Sequence, residues 1–140
     1  MANIKHRFTI LAPRRAVFEA VSTVEGFRKW WTDRTTGETR IGGLITFSFN
    51  KDVARFKVIR KEIHQFIELA YHGKKDDEWF NTKILIRLNV KDHDTIVDFQ
   101  HNDYRLENDF YAMCNYTWGR YLKSLKDYCE TGEGQPFVSA

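Results

Sequence analysis

One histidine, His101, is expected to point into the interior of the protein, with two tyrosines near enough to act with it. The strand predicted at residues 95–101 places His101 in an inward row with apolar neighbours. Burial near Tyr71 or Tyr121 would move the pKa of His101 within the physiological range, where an imidazole can act as a general base. The tyrosine hydroxyls could orient a carbonyl or hydroxyl group. The alternative is a histidine at a strand end and sheet rim with a satisfied hydrogen bond.

The sequence lacks the residue spacings that a metal site or a catalytic nucleophile would need. The five histidines form neither an HxH nor an HExxH motif, and there is no GxSxG motif. Cys114 falls on the buried side of a predicted helix with no basic residue near it in sequence. Cys129 lies on the same helix, about 22 Å away, too far for a disulfide. We therefore expect no metal and no cofactor, and we favour a binding protein over an enzyme, with His101 as the best catalytic candidate.

A larger set of residues is expected to surround an internal cavity. Most are aromatic, and all lie on predicted inward faces of strands or buried faces of helices. The predicted lining consists of Trp30, Trp31, Phe47, Phe49, Phe56, Leu69, Tyr71, Phe80, Thr82, Ile84, Phe99, His101, Cys114, Trp118 and Tyr121. Large rings do not easily cover a concave sheet without voids, which favours a cavity for a flat or apolar molecule. Ordinary core packing is the alternative, because each buried ring stabilises a fold by about 1.5–3 kcal/mol.

The elements that must position these residues follow from hydrophobic periodicity and from turn and capping residues. A helix of about ten residues is expected to start at Pro13, and the polar stretch 32–43 is expected to be a loop. Strands are predicted at 4–11, 44–50, 54–63, 66–73, 80–90 and 95–101, and two further helices at 24–31 and 107–130. The expected fold is α+β: a six-stranded, curved antiparallel sheet in the order β-α-α-β5-α, wrapped around the last helix. One domain should cover residues 1–132, followed by a flexible tail at 133–140.

Composition excludes several classes of protein. The chain has 140 residues with a formal net charge of +3, from 22 basic and 19 acidic residues in mixed order, so no nucleic-acid partner is expected. Apolar residues make up 42% and aromatic residues 15%, which is typical of a folded globular chain. No apolar run is long enough for stable membrane insertion, and the first residues do not form a secretion signal. A cytoplasmic protein is expected.

Several segments resemble a known family. An Ala-Pro leads into a helix, and a second short helix ends in Trp-Trp (APRRAVFEAVSTVEGFRKWW). A Gly-Gly precedes a strand of alternating aromatic residues, and the last helix reads WGRYLKSLKDYCETGEGQP. Nearly the whole chain resembles the START-like, or SRPBCC, superfamily with its helix-grip fold, in the branch related to the C-terminal domain of the activator of heat-shock protein 90 ATPase. The resemblance implies an internal pocket between the sheet and the last helix.

Three functions fit these observations. The favoured one is binding of a small hydrophobic or aromatic ligand, as a carrier or a sensor. The second is an enzyme like a polyketide cyclase, or another enzyme of carbonyl chemistry, that uses the same pocket. The third, implied by the resemblance alone, is an interaction module acting on a chaperone, so the possible partners also include a chaperone or a second copy of the chain.

Overall fold

A computed structural model describes residues 1–138 as one antiparallel sheet and three helices, which confirms the α+β helix-grip architecture. The strands are β1 (Ala2–Ile10), β2 (Thr35–Gly37), β3 (Leu44–Phe49), β4 (Asp52–Glu62), β5 (Phe66–Tyr71), β6 (Lys83–Lys91) and β7 (Asp94–Tyr104), and the helices are α1 (Arg14–Ser22), α2 (Val24–Trp30) and α3 (Asp109–Thr131). The sheet order is β1-β7-β6-β5-β4-β3-β2, so the first strand pairs with the last. Register irregularities in β1 and β4 mark local bends of the sheet.

The sheet has seven strands, whereas six were predicted. The additional strand, β2, lies inside the stretch that was expected to be a loop, and its three residues pair with β3. Its only buried side chain is Thr35, whose hydroxyl donates to the carbonyl of Thr32 at 2.8 Å. A three-residue polar segment carries no alternating pattern, so only its pairing with β3 identifies it as a strand.

α2 and α3 begin at residues whose side chains accept hydrogen bonds from free backbone amides. Thr23 lies between α1 and α2 and caps α2 by accepting a hydrogen bond from the Gly26 amide at 2.9 Å. Gly26 also lets the two helices approach closely, because a Cβ atom there would collide with the backbone of Ala20. Asn108 caps α3, and Gly132 ends it in the left-handed conformation.

The C-terminal half of α3 is fixed to β1 and to the two short helices. Leu122 and Leu125 are buried there. The Lys126 ammonium donates to the carbonyl of Thr9, and the Glu130 carboxylate accepts from the amide of Leu11, both at 2.7 Å. The N-terminal half of α3 has fewer buried residues, and this is where the space between helix and sheet remains open.

Two strand boundaries differ from the prediction in ways that affect the site. β6 begins at Lys83 rather than at residue 80, because Asn81 adopts the left-handed conformation at φ 66° and ends the turn region before the strand. β7 extends to Tyr104, three residues beyond its predicted end. His101 therefore lies inside β7, three residues before its end, rather than at a strand end, while its ring does have the satisfied hydrogen bonds that the alternative expected.

The segment after α3 makes several contacts with the rest of the protein. A flexible tail was expected at residues 133–140, and within it Gly134, Gln135 and Phe137 contact the body of the protein. The Gln135 amide donates to the Ser124 hydroxyl at 2.6 Å, and Phe137 exchanges backbone hydrogen bonds with Trp31 and Asp33. The Phe137 ring lies 5.5 Å from that of Phe49. The last two residues of the expected tail lie outside the described residues.

Within residues 1–138, none of the helices has the length and apolar character that crossing a membrane requires.

Candidate functional site

A pocket of about 500 Å³ lies between the N-terminal half of α3 and one end of the sheet. Its walls come from α3, from Trp31 at the end of α2, from the connection between β3 and β4, and from the end of β5 with the loop 72–82 that follows it. The lining residues are Trp31, Phe49, Asp52, Val53, Ala54, Tyr71, Asp77, Glu78, Trp79, Phe110, Met113, Cys114, Thr117, Trp118 and Tyr121. This volume is within the range of pockets that hold small molecules.

The back wall of the pocket consists of rings from α2, β3 and α3. Trp31 follows the last residue of α2, and its ring lies 4.8 Å from that of Trp118 on α3. Phe49 at the end of β3 faces Tyr121 at 6.4 Å. Aromatic rings therefore border the pocket both from α3 and from the side of α2 and β3.

Trp79, which the sequence analysis did not place in the pocket, forms part of the opposite wall. It lies in the loop 72–82, half-buried, with its ring 5.1 Å from that of His101. Its indole N–H donates to the hydroxyl of Tyr104 at 3.0 Å, and its carbonyl accepts from the hydroxyl of Thr82 at 2.6 Å. These two bonds hold the ring between the pocket and the core.

The structure divides the predicted lining residues into three groups. Six lie at the wall of the pocket: Trp31, Phe49, Tyr71, Cys114, Trp118 and Tyr121. Eight are buried in the core behind the wall: Trp30, Phe47, Phe56, Leu69, Thr82, Ile84, Phe99 and His101. Phe80 is half-buried in the loop before β6 and does not reach the pocket.

The eight core residues do point inward, but other rings cover them. Phe47 packs 4.0 Å from Trp31, and Phe56 is surrounded by Tyr71, Trp79 and Trp31 at 5.3–6.4 Å. For these residues, core packing was the correct alternative. The interior thus has two layers of rings, and only the outer layer faces the pocket.

His101 is fully buried, and both of its ring nitrogens are occupied. The indole N–H of Trp118 donates to Nδ1 at 3.0 Å, and the Tyr104 hydroxyl lies 2.8 Å from the same atom. An indole nitrogen can only donate, so Nδ1 carries no proton and accepts from both groups. Nε2 therefore holds the proton and donates to the Thr82 hydroxyl at 2.9 Å.

These bonds make His101 a neutral structural group. Burial lowers the pKa of His101 to about 3, well below the physiological range that was expected. Burial likewise raises the pKa of its neighbour Tyr104. His101 does not line the pocket and has no free nitrogen for a substrate, so the structure gives no support to His101 as a general base.

The polar groups of the pocket wall include two tyrosines and a thiol. The Tyr71 hydroxyl donates to Asp77 at 2.9 Å, and burial together with this bond raises the pKa of Tyr71 to about 12. Burial raises the pKa of Tyr121 and that of the Cys114 thiol. Cys114 is therefore not an activated nucleophile. These three groups are suited to contact and orientation rather than to proton transfer.

Nine wall residues were missed by the sequence analysis: Asp52, Val53, Ala54, Asp77, Glu78, Trp79, Phe110, Met113 and Thr117. Those on α3 could have been found, since Phe110 and Thr117 lie four and three residues from Cys114, on the same face of the helix. Asp52, Val53 and Ala54 open β4, and Asp77, Glu78 and Trp79 lie in the loop 72–82, whose residues show no periodicity. Among residues 1–138, no three histidine, cysteine, aspartate or glutamate side chains are grouped so that they could hold a metal ion.

Comparisons with known proteins agree with this architecture. A family model described as "Activator of Hsp90 ATPase homolog 1-like protein" matches residues 11–130. The solution structure of the Aha1 dimer from Colwellia psychrerythraea is 34% identical, with a TM-score of 0.89 over 96% of this chain and 100% of that one. No match was found among curated proteins.

More distant structures share the fold. A protein from Staphylococcus saprophyticus is 21% identical, with a TM-score of 0.78 over 98% of both chains. CalU16 from Micromonospora echinospora is 17% identical, with a TM-score of 0.75 over 95% of this chain and 76% of that one. The START-like resemblance read from the sequence is confirmed, and the chain belongs to the family of activator of Hsp90 ATPase homolog 1-like proteins.

Proposed function

We propose that the protein binds a small apolar or aromatic molecule in the pocket beside α3, as a carrier or a sensor. The observation that carries this proposal is an open space of about 500 Å³ bordered by seven aromatic side chains. Pockets of this size and character are the usual sites for small ligands. A cytoplasmic location is part of the same proposal.

The division of the interior into two layers supports binding rather than catalysis. Of the groups that the sequence offered for proton transfer, His101 lies behind the wall and is bonded to Trp118, and the Tyr71 hydroxyl is bonded to Asp77. The rings at the wall offer contact area without a nucleophile. Selection of the ligand would depend on shape and on a few polar contacts.

Native mass spectrometry of freshly purified protein tests this proposal. We expect a mass above that of the denatured chain by the mass of one small molecule. In Thr117→Phe a new ring projects from α3 into the pocket, so the bound molecule should be lost, whereas Asn115→Phe on the exposed side of α3 should retain it. For any binder found by thermal shift, Thr117→Phe should raise Kd about tenfold or more, the loss of about 1.4 kcal/mol of contact energy. Retention of the ligand by Thr117→Phe would place the binding site elsewhere.

A second candidate is an interaction with an Hsp90 chaperone. The family description supports it, together with two exposed apolar side chains on α3: Met113 at 69% and Tyr116 at 71% exposure. If so, the protein should raise the ATP hydrolysis rate of an Hsp90 from the same organism. Tyr116→Ser should weaken that effect, while Asn115→Ser, also exposed on α3, should not. A lack of any effect of the unmodified protein would exclude this candidate.

The Colwellia relative was solved as a dimer, and we propose a homodimer here as well. Light scattering would then give a mass of about twice 16.6 kDa.

A further inference from the structure

The pocket wall carries negative charge although the protein as a whole is basic. Three of its lining residues are acidic, Asp52, Asp77 and Glu78, and no lysine, arginine or histidine of the described chain lines it. The net charge of the chain is +3. The charge of the pocket wall is therefore opposite in sign to the net charge of the whole chain.

The three carboxylates lie at two sides of the opening. Asp52 is the first residue of β4, while Asp77 and Glu78 lie in the loop that also supplies Trp79. The position of Asp77 is fixed, because its Oδ2 accepts from the Tyr71 hydroxyl at 2.9 Å and from the Lys74 amide at 2.7 Å. All three carboxylates border the same space as the aromatic wall.

The basic groups nearest the pocket are directed elsewhere. Arg105 donates from its guanidinium group to two backbone carbonyls of the loop 72–82, at 2.9 and 3.2 Å. Arg55 lies next to Ala54 on β4, so its side chain leaves from the opposite face of the sheet. Lys74 and Lys75 are exposed in the same loop and do not line the pocket. None of these side chains lines the pocket, although two basic groups outside it act on the wall: the charge of Arg55 partly offsets the raised pKa of Tyr71, and that of Arg120 the raised pKa of Tyr121.

Aromatic faces and carboxylates attract the same type of ligand. The face of an indole, phenol or phenyl ring carries negative electrostatic potential and attracts ammonium groups, most strongly where water is excluded. A tryptophan wall with acidic groups at its edge therefore favours an organic cation over a neutral or anionic molecule of the same shape. We infer that this pocket selects apolar molecules that carry a positively charged, ammonium-type group. The inference depends on the proposed function, since it names the ligand class of the same pocket.

Calorimetric titration with three probes tests the inference: decyltrimethylammonium, decanol and decyl sulfate, each below the concentration at which it aggregates. They share a tail and differ in charge. We expect the cation to bind about tenfold more tightly than decanol, and decyl sulfate to bind most weakly. Added salt should reduce the preference for the cation, since the acidic groups are close to solvent. Shifts of the indole N–H signals of Trp79 and Trp118 in NMR spectra would place the probe in the pocket.

Paired charge variants separate the acidic edge from the general charge of the protein. Asp52→Asn/Glu78→Gln removes two charges at the pocket and should reduce the preference for the cation by about threefold or more. The control, Glu62→Gln/Asp94→Asn, makes the same chemical changes at the opposite end of the sheet and should leave the preference unchanged. These four carboxylates lie at strand ends or in turns, so their neutral amides should allow folding.

The possible outcomes are distinct. Equal or weaker binding of the cation relative to decanol would overturn the inference and leave the proposed function standing. A cation preference that survives in the pocket variant, or falls equally in the control, would also overturn it. Failure of all three probes to shift the indole signals would count against the inference and the proposed function together.

Discussion

The free energy of unfolding is expected to fall by about 2–3 kcal/mol between neutral pH and about pH 4.5 because of His101 alone. The folded protein holds His101 neutral, with a pKa of about 3, whereas the unfolded chain takes up this proton near the ordinary value of 6.5. The stability contribution is therefore complete above about pH 6.5 and is lost progressively as the pH falls toward about 3, at about 1.4 kcal/mol per pH unit. Urea unfolding at a series of pH values measures this loss.

The effect can be assigned to this residue by comparison with two variants. His101→Gln removes the titrating group and should have a flatter pH profile than the unmodified protein, while His72→Gln, at an exposed position, should keep the full slope. The ring signals of His101 in NMR spectra should also stay constant over the same pH range in the folded protein. Titration of those signals near pH 6 would contradict the buried, neutral state.

Trp118→Ala is expected to destabilise the protein by about 3–5 kcal/mol, a large share of the roughly 5–15 kcal/mol that stabilises a typical domain. The side chain is 3% exposed, and its ring lies 4.5 Å from Phe99 and 4.8 Å from Trp31. Its removal leaves a large cavity and takes away a hydrogen bond to Nδ1 of His101. The measurement is the midpoint and slope of a denaturant unfolding curve.

Two further variants show how much of the destabilisation comes from loss of the buried ring and how much from loss of the indole hydrogen bond. Trp118→Phe retains a ring but loses the indole N–H and should cost clearly less, about 1–2 kcal/mol, since Tyr104 still donates to His101. Tyr116→Ala, also on α3 but exposed, should lower the free energy of unfolding by less than about 0.5 kcal/mol, apart from the small change in helix propensity. A Trp118→Ala protein as stable as the Tyr116→Ala protein would show that α3 is not packed on the sheet in the way described.

The fold was predictable because most elements carry a strong periodic pattern. Alternation through Ile84, Ile86 and Leu88 identifies β6, and the apolar arc from Trp118 to Leu125 identifies α3. Thr23 marks a helix start by its side-chain hydrogen bond, and Gly132 marks a helix end by its left-handed backbone; both signals are local in sequence. β2 was not predictable, since three polar residues form a strand only because β3 offers them partners.

The site was predictable only in part, because a residue's inward direction does not determine its depth. Alternation correctly placed His101 and Phe56 on the inner face of the sheet, but their depth depends on what covers them. Trp79 is the residue that covers them. It lies in a charged turn that shows no periodicity, and its contacts with Tyr104 and Thr82 fix its position. Such contacts between residues distant in sequence, or between a turn and the core, leave no local pattern.

The distribution of tryptophans has a practical consequence. The chain contains four, and three of them border the pocket, while the fourth, Trp30, stacks on Trp31 at 6.0 Å. Excitation energy passes readily between indoles at such separations, so the emission of the whole set should respond as one unit to whatever enters the space beside α3. The protein thus has a built-in optical probe of occupancy that needs no added dye and no label.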